Sequence, residues 1–150
     1  MSRTLYLAAE SDTAALGAVI AASLRAGDVI HLHGDLGAGK TTLARALIQA
    51  LQPDARVKSP TYTLLESYEL PDFGLSHLDL YRISDPAELE YLGLRELAGD
   101  SVLVVEWPER GGASLPPPDL VIHLELAGDG RMANVEKWST NGERLLAAIP

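Results

Sequence analysis

Residues 34–41 combine glycines, a lysine and a hydroxyl at a spacing that can hold phosphate. Four residues separate Gly34 from Gly39, and Lys40 and Thr41 follow directly. Glycine lets the backbone turn sharply, so that several N–H groups can converge on one anion. The lysine supplies a mobile positive charge, and the threonine hydroxyl can bind the Mg²⁺ held between two phosphates. The spacing therefore predicts a loop that binds a nucleoside triphosphate such as ATP; the alternative is a glycine-rich turn beside a solvated lysine.

The segments on either side of residues 34–41 favour the phosphate-binding interpretation. Residues 29–33 form a short, largely apolar run, and Leu43, Leu47 and Leu51 follow the loop at steps of four. These patterns predict a strand that leads into the loop and a helix that leaves it. The helix N-terminus would add partial positive charge where the phosphates sit.

A phosphate loop also needs a carboxylate that positions Mg²⁺ or the attacking water. Glu106 ends the apolar run 102–105, where the carboxyl end of a buried strand would emerge at a ligand site. We therefore assign Glu106 to the metal, together with Thr41. Asp79 could bind the metal through water or act as a base on the nucleophilic water. It could equally cap a strand or pair with Arg82.

Three further features allow both a structural and a functional interpretation. Residues 59–63 are rich in hydroxyls and lie where nucleotide switches often carry a γ-phosphate sensor, although a polar turn is the simpler interpretation from the residues alone. His31 and His33 share one strand face, but we interpret them, with His77 and His123, as packing residues rather than metal ligands. Trp107 could lie in the core or beside the nucleotide.

The composition limits the class of protein. The chain has 150 residues, enough for one domain with a real core, and it has no cysteine. It also lacks an apolar run of membrane-spanning length and a leader pattern, so we expect a cytoplasmic protein. The formal net charge of −9 argues against tight binding of tRNA or DNA by this chain alone, because nucleic-acid binding proteins normally present a basic face. An acidic surface instead suits a basic protein partner.

The remaining patterns predict an α/β fold. We expect a strand over residues 3–8, a helix over about 12–25 capped by Ser11 or Asp12, and hairpins over 63–80 and 120–137. Asp85 should cap a helix that begins at Pro86, and Thr140 with Glu143 should form a capping box for a closing helix. Together the elements suggest a three-layer sandwich like that of phosphate-loop NTPases, with about four helices around a mixed sheet of about seven strands.

Four motifs in order resemble one family across nearly the whole chain. They are Gly-Asp-Leu-Gly-Ala-Gly-Lys-Thr-Thr at 34–42, Ser-Pro-Thr-Tyr-Thr-Leu at 59–64, Leu-Asp-Leu-Tyr-Arg at 78–82 and Val-Glu-Trp-Pro at 105–108. On these motifs the chain resembles the TsaE family, formerly called YjeE, which is needed for the threonylcarbamoyladenosine modification of bacterial tRNA. Four co-ordered motifs are far more specific than a phosphate loop alone.

The resemblance implies an ATP-binding, weakly hydrolysing subunit that works with a TsaB–TsaD heterodimer. It implies catalytic roles for Lys40, Asp79 and Glu106, and Mg²⁺ binding by Thr41 and Glu106. The nucleotide contacts that it implies, with Ser11 and Arg131 at the periphery, are Ser11, Gly37, Ala38, Gly39, Lys40, Thr41, Thr42, Thr61, Thr63, Asp79, Trp107 and Arg131.

Other functional classes make different predictions from the same loop. A free-standing small-molecule kinase is the main alternative, but it usually needs a lid with clustered arginines, and the nine arginines here are spread along the chain. A GTPase would need an Asn-Lys-x-Asp guanine reader, which the sequence lacks. A scaffold that binds nucleotide only as a structural ligand would keep its activity after substitution of Lys40 or Glu106. Arg82 is the best internal candidate for an arginine finger, although a structural arginine is the simpler interpretation.

Overall fold

A single mixed sheet of seven strands organises the chain, with strand order β1-β7-β6-β2-β5-β4-β3. The computed structural model describes residues 1–58, 60 and 64–150, without the side chain of Arg95. The strands are β1 (Ser2–Leu7), β2 (Val29–His33), β3 (Leu65–Glu69), β4 (Gly74–Asp79), β5 (Ser101–Glu106), β6 (Leu120–Ala127) and β7 (Gly130–Lys137). The predicted α/β class and the mixed sheet are confirmed.

Four α-helices and three short 3₁₀ segments occur among the described residues. The helices are α1 (Glu10–Ser23), α2 (Lys40–Leu51), α3 (Leu94–Asp100) and α4 (Thr140–Ala147), and the 3₁₀ segments are Pro86–Leu92, Pro108–Arg110 and Gly112–Ser114. No helix in the described part of the chain is both long enough and apolar enough to cross a membrane.

The helices cover both faces of the sheet, as the alternation along β5 shows. Val102 and Val104 pack into a core with α1, α2 and α4, while Leu103 and Val105 pack into a second core with α3 and the first 3₁₀ segment. Successive residues of a strand point to opposite faces, so a strand that is apolar throughout is buried on both sides. This arrangement is the expected three-layer sandwich.

The sheet order brings three strand ends to one edge. β2 lies at the centre and pairs in parallel with β5, and β5 pairs in parallel with β4. Parallel strands end at the same edge, so the segments that follow His33, Asp79 and Glu106 all emerge together. Both predicted hairpins are also present, with β3 antiparallel to β4 and β6 antiparallel to β7.

Two of the predicted helix caps are wrong. The N-cap of α1 is Ala9, and the Asp12 side chain accepts a hydrogen bond from the Ala9 N–H at 3.0 Å, so neither Ser11 nor Asp12 is the cap. A carboxylate at the third helical position can satisfy that N–H from inside the helix, which lets the helix begin earlier than its sequence cap suggests.

The closing helix is capped by Ser139 rather than by Thr140 with Glu143. The Ser139 hydroxyl accepts a hydrogen bond from the Gly142 N–H at 3.0 Å and donates to Asp119 at 2.6 Å. A side chain at position 142 would meet the Asp119 carbonyl, so glycine is required there and the helix start is set by tertiary packing. The Asp85 cap is confirmed, since its side chain accepts from the Ala87 N–H, although the segment that follows is a 3₁₀ helix.

Candidate functional site

The loop between β2 and α2 has the backbone geometry of an anion cradle. Gly34, Gly37 and Gly39 have φ values of 150°, 82° and 106°. A Cβ on Gly34 would lie 2.5 Å from the Leu124 carbonyl oxygen, so that position needs glycine for close packing as well as for its conformation. Gly39 is the N-cap of α2, and the N–H groups of the first helical turn have no acceptor within the helix.

Lys40 is folded back over the loop. Its Nζ donates hydrogen bonds to the carbonyl oxygens of Gly34 at 2.5 Å and Asp35 at 2.9 Å, and the side chain is only 5% exposed. Burial lowers the pKa of Lys40, and the charges of Glu106 and Asp79 oppose that shift. Its ammonium also lies 4.2 Å from the centre of the Trp107 ring. The lysine is thus held beside the loop by neutral carbonyl acceptors, which a charged phosphate oxygen could replace.

Thr41 and Glu106 meet across the end of the sheet. The Thr41 hydroxyl lies 2.8 Å from Oε1 of Glu106 and 3.1 Å from Oε2. Adjacent ligands of an octahedral Mg²⁺, each about 2.0–2.1 Å from the metal, are about 2.9 Å apart. The two oxygens are therefore spaced as neighbouring Mg²⁺ ligands, and both are of the hard type that this cation prefers. The pair fits a magnesium site.

Asp79 is the register partner of Glu106 on the neighbouring strand. Its carboxylate accepts a hydrogen bond from the Tyr81 N–H at 3.0 Å. Burial raises the pKa of Asp79, the Tyr81 hydrogen bond lowers it, and the nearby Glu106 charge raises it again. Two carboxylates at adjacent strand ends, one in contact with Thr41 and one on the neighbouring strand, could serve as one metal ligand and one base or water ligand.

Glu106 has a partner that the sequence did not reveal. His77 is fully buried, and its Nε2 lies 2.6 Å from Oε2 of Glu106. His77 and Asp79 are two residues apart on β4 and therefore share a face, which is the one signal in the sequence that could have found this contact.

Trp107 lies at the site, where it also packs against the edge of the second core. Its backbone adopts the left-handed region, with φ of 56°, which is uncommon for a bulky residue and recurs at functional sites. The turn carries the indole over Lys40 and to 4.9 Å from the Tyr81 ring, and the Arg110 guanidinium faces both rings. The Trp107 ring therefore covers one side of the Lys40 ammonium.

These groups line one open cavity of about 370 Å³, here called the loop cavity. Most of the predicted site residues reach it. Its wall consists of Leu36, Gly37, Gly39, Lys40, Thr41, Thr42, Asp79, Tyr81, Arg82, Glu106, Trp107 and Arg131. Positive and negative side chains face each other across it, which suits a polyphosphate with a divalent cation.

Arg131 links the loop cavity to a second hollow. It donates to the Gly37 carbonyl at 3.3 Å, and it lines both the loop cavity and a neighbouring cavity of about 240 Å³, here called the side cavity. Thr42 and Gly39 also line both cavities, and Glu10 and Thr13 of α1 line the side cavity alone of the two.

The remaining predicted nucleotide contacts are placed differently. Ser11 lines a groove between α1 and α2 with Thr42 and lies outside the loop and side cavities. Ala38 is buried, and its N–H donates to the Asp35 carbonyl at 3.0 Å, so it does not line the loop cavity. Thr61 and Thr63, together with most of the hydroxyl-rich segment, lie outside the described residues.

The four histidines have distinct surroundings. Burial and the neighbouring His33 lower the pKa of His31 to about 4, while a hydrogen bond to the Pro116 backbone opposes the shift. His33 stacks on His123 with ring centres 4.8 Å apart. Among the described residues, no group of three or more His, Cys, Asp or Glu side chains is arranged to hold a metal.

Comparisons with known proteins identify the family. The model of the family "Threonylcarbamoyl adenosine biosynthesis protein TsaE" matches residues 7–133. The chain is 40% identical over 122 residues to the tRNA threonylcarbamoyladenosine biosynthesis protein TsaE of Haemophilus influenzae, covering 81% of this chain and 77% of that one. It is 39% identical over 132 residues to the Aquifex aeolicus protein of the same name, covering 86% and 91%. The crystal structure of Bacillus subtilis YdiB matches with a TM-score of 0.82 at 31% identity, covering 97% of this chain and 91% of that one.

Proposed function

Because the chain belongs to the TsaE family of tRNA threonylcarbamoyladenosine biosynthesis proteins, we propose that it binds ATP with Mg²⁺ and hydrolyses it slowly as a cytoplasmic component of that pathway. The observation that carries this proposal is the 2.8 Å contact between Thr41 and Glu106 at the start of α2, directly beside the phosphate loop. A metal-ligand pair and an anion cradle at the same strand ends are the parts that phosphate-loop NTPases share.

In the proposed complex, the triphosphate occupies the loop cavity. The backbone N–H groups of Gly37 and of residues 39–42 bind the phosphate oxygens, and Lys40 leaves the Gly34 and Asp35 carbonyls to bind the β- and γ-phosphates. Thr41 and Glu106 would hold Mg²⁺, which neutralises phosphate charge when it is bound. Asp79 orients the water that attacks the γ-phosphate or accepts its proton.

The side cavity is the proposed place for the nucleoside. It adjoins the loop cavity at Gly39, Thr42 and Arg131, so a ligand whose phosphates lie on the loop can extend its sugar and base toward α1. We expect no guanine selection, because the chain contains no Asn-Lys-x-Asp guanine reader. Calorimetric titration with ATP and with GTP, each with and without Mg²⁺, tests both points: ATP should bind more tightly, and preference for GTP would contradict the proposal.

We propose that hydrolysis depends on a TsaB–TsaD partner. Arg82 lines the loop cavity but already makes an interaction within this chain. It is therefore not available as an arginine finger that would support fast turnover without a partner. The formal charge of −9 favours contact with a basic protein surface over contact with tRNA.

A pull-down tests the partnership. Purified TsaB and TsaD should be retained by this chain in the presence of ATP and Mg²⁺, and less so in EDTA or with Lys40→Ala. Retention that is indifferent to nucleotide would support the structural scaffold instead. Transfer of label from [γ-³²P]ATP to a nucleoside or sugar would support the small-molecule kinase.

A further inference from the structure

We infer that His77 is the positioning residue of the magnesium site, and that it holds Glu106 so that one carboxylate oxygen remains directed at Thr41. This inference rests on the proposed binding of ATP with Mg²⁺. It concerns a residue that does not line the loop cavity and whose hydrogen bond to the site, among the described residues, is made to Glu106.

The sheet register explains how His77 reaches Glu106. His77 is paired with Val104 and Asp79 with Glu106 on the parallel strands β4 and β5. Paired residues of adjacent strands point to the same face, so His77 lies diagonally behind Glu106 on the face that α2 covers. From this diagonal position, the His77 side chain is long enough to reach the Glu106 carboxylate.

The hydrogen bond also defines which ring nitrogen carries the proton. Nε2 of His77 lies 2.6 Å from Oε2 of Glu106, and a carboxylate accepts hydrogen bonds, so Nε2–H donates. Nδ1 is buried and has no hydrogen-bond partner among the described residues. A proton on Nδ1 would therefore be left without an acceptor, and the structure assigns the tautomer with the proton on Nε2.

The two carboxylate oxygens of Glu106 therefore have different hydrogen-bond partners at the shortest distances. Oε2 accepts from His77, while Oε1 lies 2.8 Å from the Thr41 hydroxyl on the side that would face Mg²⁺. Glu106 is 2% exposed, so without His77 the described residues would leave its buried Oε2 with one longer hydrogen bond, of 3.1 Å, from Thr41. A ligand held by a second hydrogen bond is orientated before the metal arrives.

A purely structural role accounts poorly for a histidine at this position. Its strand neighbours on the same face include the fully buried Leu75, and an imidazole with one unpartnered nitrogen is costly to bury. Among the described residues, Glu106 compensates for this cost through its 2.6 Å hydrogen bond to Nε2. The histidine is therefore best explained by its contact with the metal ligand.

Two amide substitutions of His77 test whether a hydrogen-bond donor must lie at the position of Nε2. In His77→Gln, the amide nitrogen is as many bonds from Cα as Nε2 is, whereas in His77→Asn it is one bond shorter and falls short of Glu106. We expect His77→Asn to weaken Mn²⁺ binding to the nucleotide complex, followed by electron paramagnetic resonance, by about 10- to 100-fold, the range for loss of such an outer hydrogen bond. His77→Gln should retain most of the affinity.

A second comparison separates positioning from folding. In a Glu106→Ala background, His77→Asn should cause no further loss of Mn²⁺ affinity, because residues that act through one another are not additive. Nucleotide affinity in EDTA should be unchanged by either amide, which also verifies the fold. Equal Mn²⁺ affinity of wild type and His77→Asn, or an undiminished effect of His77→Asn in the Glu106→Ala background, would overturn the inference.

A spectroscopic readout needs no nucleotide. Two-bond ¹H–¹⁵N correlation spectra of the imidazole should show His77 protonated at Nε2, and the Nε2–H signal should shift in Glu106→Ala. A proton on Nδ1 would overturn the positioning role while leaving ATP binding intact. If the wild-type chain binds no ATP, the proposed function fails and the inference fails with it.

Discussion

The Thr41 hydroxyl and the Glu106 carboxylate, separated by 65 residues in the sequence, lie 2.8 Å apart where α2 begins and β5 ends. Two facts produce the contact: the loop places Thr41 in the first turn of α2, and β5 is the strand beside β2. The contact between Thr41 and Glu106 therefore requires both the local geometry of the loop and the order of the strands, and the proposed function depends on both.

Replacing Glu106 with glutamine should separate nucleotide binding from hydrolysis. Glutamine keeps the size and one oxygen but loses the charge that holds Mg²⁺, so ATP affinity in EDTA should be preserved. Mg²⁺-dependent hydrolysis should fall by about 100-fold or more, as when one preorganised electrostatic group is removed. Glu69→Gln is the control, because Glu69 is exposed at the other end of the sheet. Hydrolysis at the wild-type rate in Glu106→Gln would disprove the metal assignment.

Replacing Lys40 with alanine should weaken ATP binding itself. Hydrogen bonds to a charged group contribute about 1.5–3 kcal/mol, which corresponds to about 10- to 100-fold in affinity. Lys137→Ala is the matched control, since Lys137 pairs with Leu120 at the opposite edge of the sheet and contacts Glu143. Calorimetric titration measures both variants, and equal affinities for the two would argue against a phosphate role for Lys40.

Nucleotide binding should change the fluorescence of Trp107. Its ring lies 4.2 Å from the Lys40 ammonium, which must move to reach phosphate, whereas Trp138 is 63% exposed and outside the loop cavity. The emission change on adding ATP and Mg²⁺ should persist in Trp138→Phe and vanish in Trp107→Phe. A signal that survives in Trp107→Phe would show that the indole does not report on the loop.

Asp79→Asn should reduce hydrolysis without destabilising the fold. Burial raises the pKa of Asp79, so the folded chain holds this proton more tightly than the unfolded chain does. Stability then declines as pH rises from about 3.8 through the folded pKa, and asparagine removes that decline while still accepting from the Tyr81 N–H. Urea unfolding at neutral pH should give an equal or higher free energy of unfolding for the variant. A marked loss would assign Asp79 a structural role.

His31 should make the protein sensitive to mild acid. Its pKa is lowered to about 4 in the folded chain, against about 6.5 when unfolded, so the unfolded state binds the proton first as pH falls between these values. Stability should decrease across that window by up to about 3 kcal/mol, at about 1.4 kcal/mol per pKa unit. Urea unfolding from about pH 7 to 4 should show a shallower pH dependence for His31→Leu than for the wild type. Identical slopes would contradict the burial effect.

The sequence determined the elements whose causes are local. Spacing alone predicts the phosphate loop, the strand before it and the helix after it, and hairpin signals predict β3–β4 and β6–β7, because glycines, turn residues and side-chain periodicity act over a few neighbours. The role of Glu106 could be proposed in the same way, from one charge at the end of an apolar strand.

Tertiary structure decided what depends on sheet order and packing. The Ser139 cap follows from the approach of Gly142 to Asp119, and the contact between His77 and Glu106 follows from the pairing of β4 with β5. Strand order and register arise from the way apolar faces are buried against helices across the whole chain, and many orders satisfy the same local pattern. The residues of one motif can therefore be identified from the sequence. The contact of His77 with Glu106 is identified only from the structure, because it depends on which strands are neighbours.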